Sequence, residues 1–263
     1  MIVGIDIGGT NTHGVLFDRK KLVAGISVKG NELKHVRKCH DYLVRKANGK
    51  KYRLVFTGGG SRKVTRKDIG EPFAIMSEIK AIGKGGMFLS GKKNIFTVSI
   101  GTGTAFVSVK NSRSVHVGGT GMGGGTLQGL SQLLLSSSIT QTEKMSKKGY
   151  GRLDLTVKDI VGSGVGRIPG DATASNFGSV GRKPPKSEIA HSLLKMAGET
   201  IGVMAYFAAK SVSQEKNILV CGRVAMNGIV KKTVTETVKL MGGMATVPKN
   251  AEYCAAIGAA LGS

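Results

Sequence analysis

The chain has 263 residues, 40% of them hydrophobic, and a formal net charge of +23, enough for two modest lobes or one large domain around a real core. No apolar run is long enough to span a membrane, and Cys39, Cys221 and Cys254 lie far apart with no paired spacing, which argues against a zinc site or disulfide framework and fits a reducing cytoplasm. The charge favours anionic partners, yet with no Trp, five Tyr and eight Phe base-stacking platforms are poorly supplied. The clusters Arg19-Lys20-Lys21, residues 34–53, Arg62-Lys63 and Arg66-Lys67 therefore read as solvated basic surface.

In chain order, Ile2-Val3-Gly4-Ile5-Asp6 is expected to be a strand rather than a leader segment. It ends in the turn Ile7-Gly8-Gly9-Thr10 and returns through Gly14-Val15-Leu16-Phe17-Asp18. A third strand is expected over residues 22–28, a basic amphipathic helix over 32–46, and a buried strand over 53–57 ending in Gly58-Gly59-Gly60. A second set opens with residues 94–100, turns at Gly101-Thr102-Gly103-Thr104, returns over 105–110 and adds a strand near 115–117. That strand feeds the loop Gly118-Gly119-Thr120-Gly121-Met122-Gly123-Gly124-Gly125-Thr126 and an apolar helical run through Leu135. Both halves thus share one order: strand, glycine turn, return, further strand, helix. Residues 144–186 read as polar, Gly-rich and irregular. A long helix is expected over 187–211, a strand over 217–222, a helix over 228–241 and a closing helix over 251–261.

Glycine turns after apolar strands let backbone N–H groups approach an anion, and the positive end of a helix dipole adds to this at residues 118–126. Asp6, at a strand end beside the first turn, is placed to hold a hydrated Mg²⁺. No Walker-type lysine loop occurs, which disfavours a P-loop enzyme. Only sixteen Asp plus Glu are present, so an acid beside a glycine turn stands out.

Four segments together carry a resemblance over nearly the whole chain. They are Asp6-Ile7-Gly8-Gly9-Thr10, Gly101-Thr102-Gly103-Thr104, the 118–126 loop, and Ala172-Thr173-Ala174-Ser175-Asn176-Phe177-Gly178. In their order and spacing the chain resembles type II pantothenate kinases. The resemblance implies an α/β, two-lobed actin-like fold built from a duplicated ribonuclease H-like βββαβαβα unit. It implies lobes near residues 1–90 and 91–263, with the terminal helix packing back on the first lobe. It further implies ATP- and Mg²⁺-dependent phosphorylation of the terminal hydroxyl of pantothenate, the entry step to coenzyme A, by a cytoplasmic homodimer.

Carried over residue by residue, the resemblance makes Glu78 the catalytic base, with Asp68 and Glu71 weaker candidates. It puts Asp6, Gly8, Gly9, Thr10, Asn11, His13 and Thr102 on the nucleotide phosphates, and Gly124, Gly125, Thr126, Leu127 and Gln128 along the wall for phosphate and sugar. Gly222 and Arg223 fall on the adenosine side; Thr102, Gly103, Arg113 and His116 fall on the acceptor. Two positions depart from the pattern: His13 stands where the family has a phosphate-contacting lysine, and His116 where it has an acceptor-binding arginine. Three expectations follow: Arg113 covers the acceptor carboxylate, or the acceptor differs, or protonation of the two histidines restores the charge at low pH. Two further readings are a kinase for another small alcohol and a non-catalytic nucleotide- or nucleic-acid-binding protein. Iron–sulfur activator ATPases of the same superfold are disfavoured, because no cysteine sits in a glycine loop.

Overall fold

A computed structural model describes residues 1–19 and 21–262; Lys20, part of the first basic cluster, lies outside the described residues. Strands β1 (Ile2–Ile7), β2 (Asn11–Asp18) and β3 (Lys21–Lys29) form an antiparallel meander, and helix α1 (Leu33–Ala47) crosses to β4 (Arg53–Thr57), parallel to β1. After the short helix α2 (Arg66–Ile69), the two-residue strand β5 (Ala74–Ile75) closes a sheet of order β3-β2-β1-β4-β5.

The second half repeats this plan. Helix α3 (Glu78–Ser90) leads to β6 (Ile95–Ile100), β7 (Thr104–Lys110) and β8 (Arg113–Thr120), again an antiparallel meander. Helices α4 (Gly124–Leu135) and α5 (Ile139–Ser146) follow. Residues expected to be irregular hold three short elements, β9 (Leu155–Thr156), α6 (Val157–Val161) and β10 (Thr173–Ser175), with β9 and β10 forming a two-stranded antiparallel sheet. Small polar caps account for them: the Thr156 hydroxyl and the Asp159 carboxylate form a reciprocal capping box. Helix α7 (Lys186–Lys210), strand β11 (Ile218–Cys221), helix α8 (Gly228–Leu240), strand β12 (Ala245–Thr246) and helix α9 (Cys254–Leu261) complete the chain.

The second sheet runs β12-β11-β6-β7-β8, with β11 parallel to both β6 and β12. It is the first sheet rebuilt, β6 standing for β1 and β11 for β4. Both sheets also shift register in the outer antiparallel pair, at Leu16/Phe17 and at Phe106/Val107. Each central strand is a run of buried apolar residues, as a strand covered on both faces requires. In the first sheet Val3, Ile5 and Ile7 pack on Leu43 and Phe56; in the second Phe96, Val98 and Ile100 pack under α7 through Leu193, Ala197 and Ile201.

Helices α3 and α9 cross between the lobes. A Cβ on Gly85 would overlap the Cys254 carbonyl oxygen, and one on Gly258 would overlap that of Ala81, so the two helices meet backbone to backbone. From this crossing α9 lays Ala256, Ile257 and Ala260 against Val15 and Phe17 of β2. The terminal helix thus returns to the first lobe, and both lobes end their first two strands at one cleft.

Candidate active site

The cleft is a cavity of about 660 Å³. Its floor comes from the strand ends. Asp6 is the penultimate residue of β1, where it pairs across the ladder with His13 on one side and Thr57 on the other. Gly58, immediately after Thr57, has φ +85°, and a Cβ there would strike the Asp6 carboxylate; only glycine suits both demands. The first turn is held by Gly8 N–H donating to the Asn11 carbonyl at 3.0 Å and by Gly30 N–H donating to that of Thr10 at 2.9 Å. The Asn31 side-chain amide donates to the Gly9 carbonyl at 2.9 Å. The second turn faces it across the cleft: the Thr10 and Thr102 hydroxyl oxygens lie 3.1 Å apart, and Gly9 leaves room for Thr102 Oγ1, which a Cβ would meet at 2.6 Å.

Glu78 opens α3, reaches the same cavity and adds its charge to the surroundings of Asp6. Burial first, and Glu78 second, push the Asp6 carboxyl up to about 7. Among the described residues that carboxylate has no hydrogen-bond partner. The cavity as a whole is acidic although the chain is basic: Asp6, Glu78, Glu143 and Glu252 line it, against Lys29 and Arg223. Arg223 Nη2 lies 3.8 Å from Glu143 Oε2, so half of that cationic charge is already answered. A destabilised, unpartnered carboxylate in an acidic cavity fits a bound cation. No group of three or more His, Cys, Asp or Glu could hold a metal among the described residues, so the Asp6 carboxylate suits only an ion that brings most of its ligands with it.

Of the residues singled out in sequence, Asp6, Gly8, Gly9, Thr10, Asn11, His13, Glu78, Thr102, Gly103, Gly124, Gln128, Gly222 and Arg223 meet at this cavity. Gly222 sits at φ +94° with its Cβ direction blocked by the Ile100 carbonyl, which turns the chain out of β11 toward Arg223.

The remaining candidates do not line the cavity, and Gly124, which does, has its amide already engaged. Gly125 and Gly124 stand at the start of α4, but their N–H groups donate to the carbonyls of Thr102 and Gly101, both at 2.8 Å. The helix start therefore buttresses the second turn, and the expectation of free amides there is corrected. The Thr126 hydroxyl donates to the Gly121 carbonyl at 2.6 Å, stiffening the loop. Leu127 is a core residue, packed with Phe106 and Leu193; its apolar side chain faces away from the cleft. His116 is an exposed residue of β8 opposite Val107, and Arg113, at the far end of that strand, lines a different groove. Glu71 accepts from the Tyr52 hydroxyl at 2.5 Å and lies 2.6 Å from His40 Nε2, while Asp68 caps Thr65; both are structural.

His13 is buried, with Nδ1 2.8 Å from Ser27 Oγ and its ring edge-on to Tyr253. Burial, then nearby Arg223, lowers it to about 4, so it is neutral near pH 7. Burial thus opposes protonation of His13 as a substitute for a lysine charge. Residues that sequence reasoning missed include Ser27 and Lys29 of β3, Glu143 of α5 and Glu252 before α9. Ser27 and Lys29 share one signal, the register that sets them opposite His13 and Asn11.

Two copies of one sheet plan, each with a glycine turn on a shared cleft that holds carboxylates, define the actin-like class of kinases and ATPases. Solved structures of that class superpose on the chain. The activator of 2-hydroxyisocaproyl-CoA dehydratase from Clostridium difficile, with bound ADPNP, matches at a TM-score of 0.71 and 14% identity, covering 99% of this chain and 92% of that one. The ROK hexokinase of Thermus thermophilus matches at 0.56 and 15%, covering 99% and 96%. Within the class, the family model named Fumble matches residues 95–262. The type II pantothenate kinase of Oceanobacillus iheyensis is 34% identical over 217 residues, covering 79% of this chain and 80% of that one. The type II pantothenate kinase of Staphylococcus aureus strain NCTC 8325 is 29% identical, covering 98% of each. The chain belongs to the Fumble family of type II pantothenate kinases.

Proposed function

We propose that this protein transfers the γ-phosphoryl group of ATP to the terminal hydroxyl of pantothenate, forming 4'-phosphopantothenate. The observation that carries the reading is the convergence of Asp6 and Glu78 on the cavity walled by the two threonine-bearing glycine turns. Phosphoryl transfer asks mainly for positioning and charge stabilisation. The turn amides and the hydroxyls of Thr10 and Thr102 donate to phosphate oxygens, drawing the two lobes onto one ligand. Glu78 accepts the acceptor's hydroxyl proton at a carboxylate oxygen as the new P–O bond forms and the bond from the γ-phosphorus to the β–γ bridging oxygen breaks, releasing ADP. Arg223, steadied by Glu143, supports the nucleotide side, and Gly222 keeps that wall flat. Mg²⁺, when bound with the nucleotide, offsets phosphate charge, and Asp6 is the residue that would hold it.

We further infer a homodimer in the cytoplasm. Helix α7 buries Ala197, Ile201 and Ala205 in the core yet exposes Val203, Met204 and Phe207, the last at 57%. A second apolar face on a helix is the mark of a protein contact, and Phe207→Glu should convert a dimer to a monomer in sedimentation.

The decisive assay follows ADP release and product mass with Mg-ATP and a panel of alcohols. Pantothenate is expected to be consumed, with loss of turnover in Glu78→Gln. Turnover with another alcohol but not with pantothenate would overturn the assignment.

A further inference from the structure

The lobes face each other a second time, away from the catalytic cavity. A groove of about 710 Å³ runs between β5 with the start of α3 on one side and the β7–β8 turn on the other. Among the described residues its charged side chains are Arg53, Lys80, Lys84 and Arg113, and no Asp or Glu lines it. They converge from separate elements: Arg53 opens β4, Arg113 opens β8, and Lys80 and Lys84 stand one turn apart on α3. None of the four forms an ion pair among the described residues; Lys84 Nζ donates only to the Gly262 carbonyl, at 3.4 Å.

The groove's floor is built closely. A Cβ on Gly83 would overlap the Ser114 hydroxyl, so the β7–β8 turn is seated directly on α3. A basic chain scatters cations over its whole surface. This groove differs in that cations from both lobes meet in one concavity without a counter-charge among the described residues, so their fields add. The catalytic cavity of the same chain has the opposite balance.

We propose that this groove is a second anion site, binding a soluble ligand that carries two or more phosphate groups and touches both lobes. A single phosphate can engage a cation or two, most effectively a bidentate arginine. Four cations on three elements call for a longer anion. A ligand held by both lobes favours the lobe arrangement in which its contacts are best made.

Inorganic pyrophosphate is the probe, and hydrogen–deuterium exchange of the full chain at physiological ionic strength is the readout, because it reports locally and independently of turnover. Saturable protection is expected at residues 74–77 and 111–114. Lys80→Ala/Arg113→Ala should weaken the midpoint at least tenfold, whereas Lys231→Ala/Lys239→Ala, which removes two exposed cations of α8, should change it less than twofold. Orthophosphate should bind at least tenfold more weakly than pyrophosphate. Absence of protection at those segments, equal weakening in both double variants, or equal affinity for the two anions would each overturn the proposal. Thermal unfolding of the variants separates lost binding from lost fold.

Discussion

Replacing Asp6 by Asn should stabilise the ligand-free fold at alkaline pH while removing activity. The carboxyl of Asp6 is held at about 7 in the folded chain against an ordinary value of 3.8. The folded form keeps its proton to higher pH than the unfolded form, so stability is greatest below about pH 4 and declines until about pH 7. Once the group is ionised in both states, the loss amounts to about 4 kcal/mol, and about 2–3 kcal/mol of it accrues between pH 5 and pH 8. For a chain of this size that corresponds to roughly 5–10 °C in melting temperature; water in the cleft screens the charge and favours the lower end. Asn is nearly isosteric and does not titrate. Melting curves of both proteins at pH 5 and pH 8 should therefore show a gap that widens in favour of the variant as pH rises. Mg²⁺ should narrow it by stabilising the wild type. A gap independent of pH, or a variant less stable than wild type at pH 8, would refute the reasoning.

Other consequences can be measured alongside. Glu78→Gln should lower kcat by ~10²–10⁴-fold with little change in melting temperature, because Glu78 opens α3 and belongs to no core cluster; an activity loss below tenfold would remove it as the base. Gly58→Ala should cost more than about 1 kcal/mol and also lower activity, since the new methyl displaces the Asp6 carboxylate; denaturant titration with kinetics tests both. In wild type kcat/KM should fall, not rise, as pH drops below about 7, because Asp6 takes up a proton while His13, lowered to about 4, stays neutral; an increase toward pH 5.5 that disappears in His13→Gln would contradict this. Leu127→Ala should cost about 2–5 kcal/mol of stability and leave the KM for ATP close to that of wild type, as fits a core residue.

Much of the scaffold is legible in the sequence because its strands are short apolar runs stopped by glycine. The run at residues 53–57 is observed as Arg53–Thr57, and the helix expected over 187–211 as Lys186–Lys210. Repetition of the strand–turn–return order marks the duplication in the sequence itself. What stayed hidden depends on pairing across the lobes. Nothing local announces that Thr10 meets Thr102, or that the carbonyls of Gly101 and Thr102 take up the amides of Gly124 and Gly125. Composition could not disclose that a chain of net charge +23 brings Asp6, Glu78, Glu143 and Glu252 to one cleft. His116 was placed by motif position, which carries no information about which face of β8 it occupies.

The helix crossing between the lobes also has a consequence for how the protein is made. Val15 and Phe17 on β2 are covered by Ala256, Ile257 and Ala260 of α9, so a segment synthesised early waits for one synthesised late. Until α9 arrives, the first lobe carries a bare apolar face on the ribosome, and contacts of such long sequence separation form slowly. Substitutions that delay the docking of α9 should therefore reduce soluble yield before they reduce the activity of the molecules that fold.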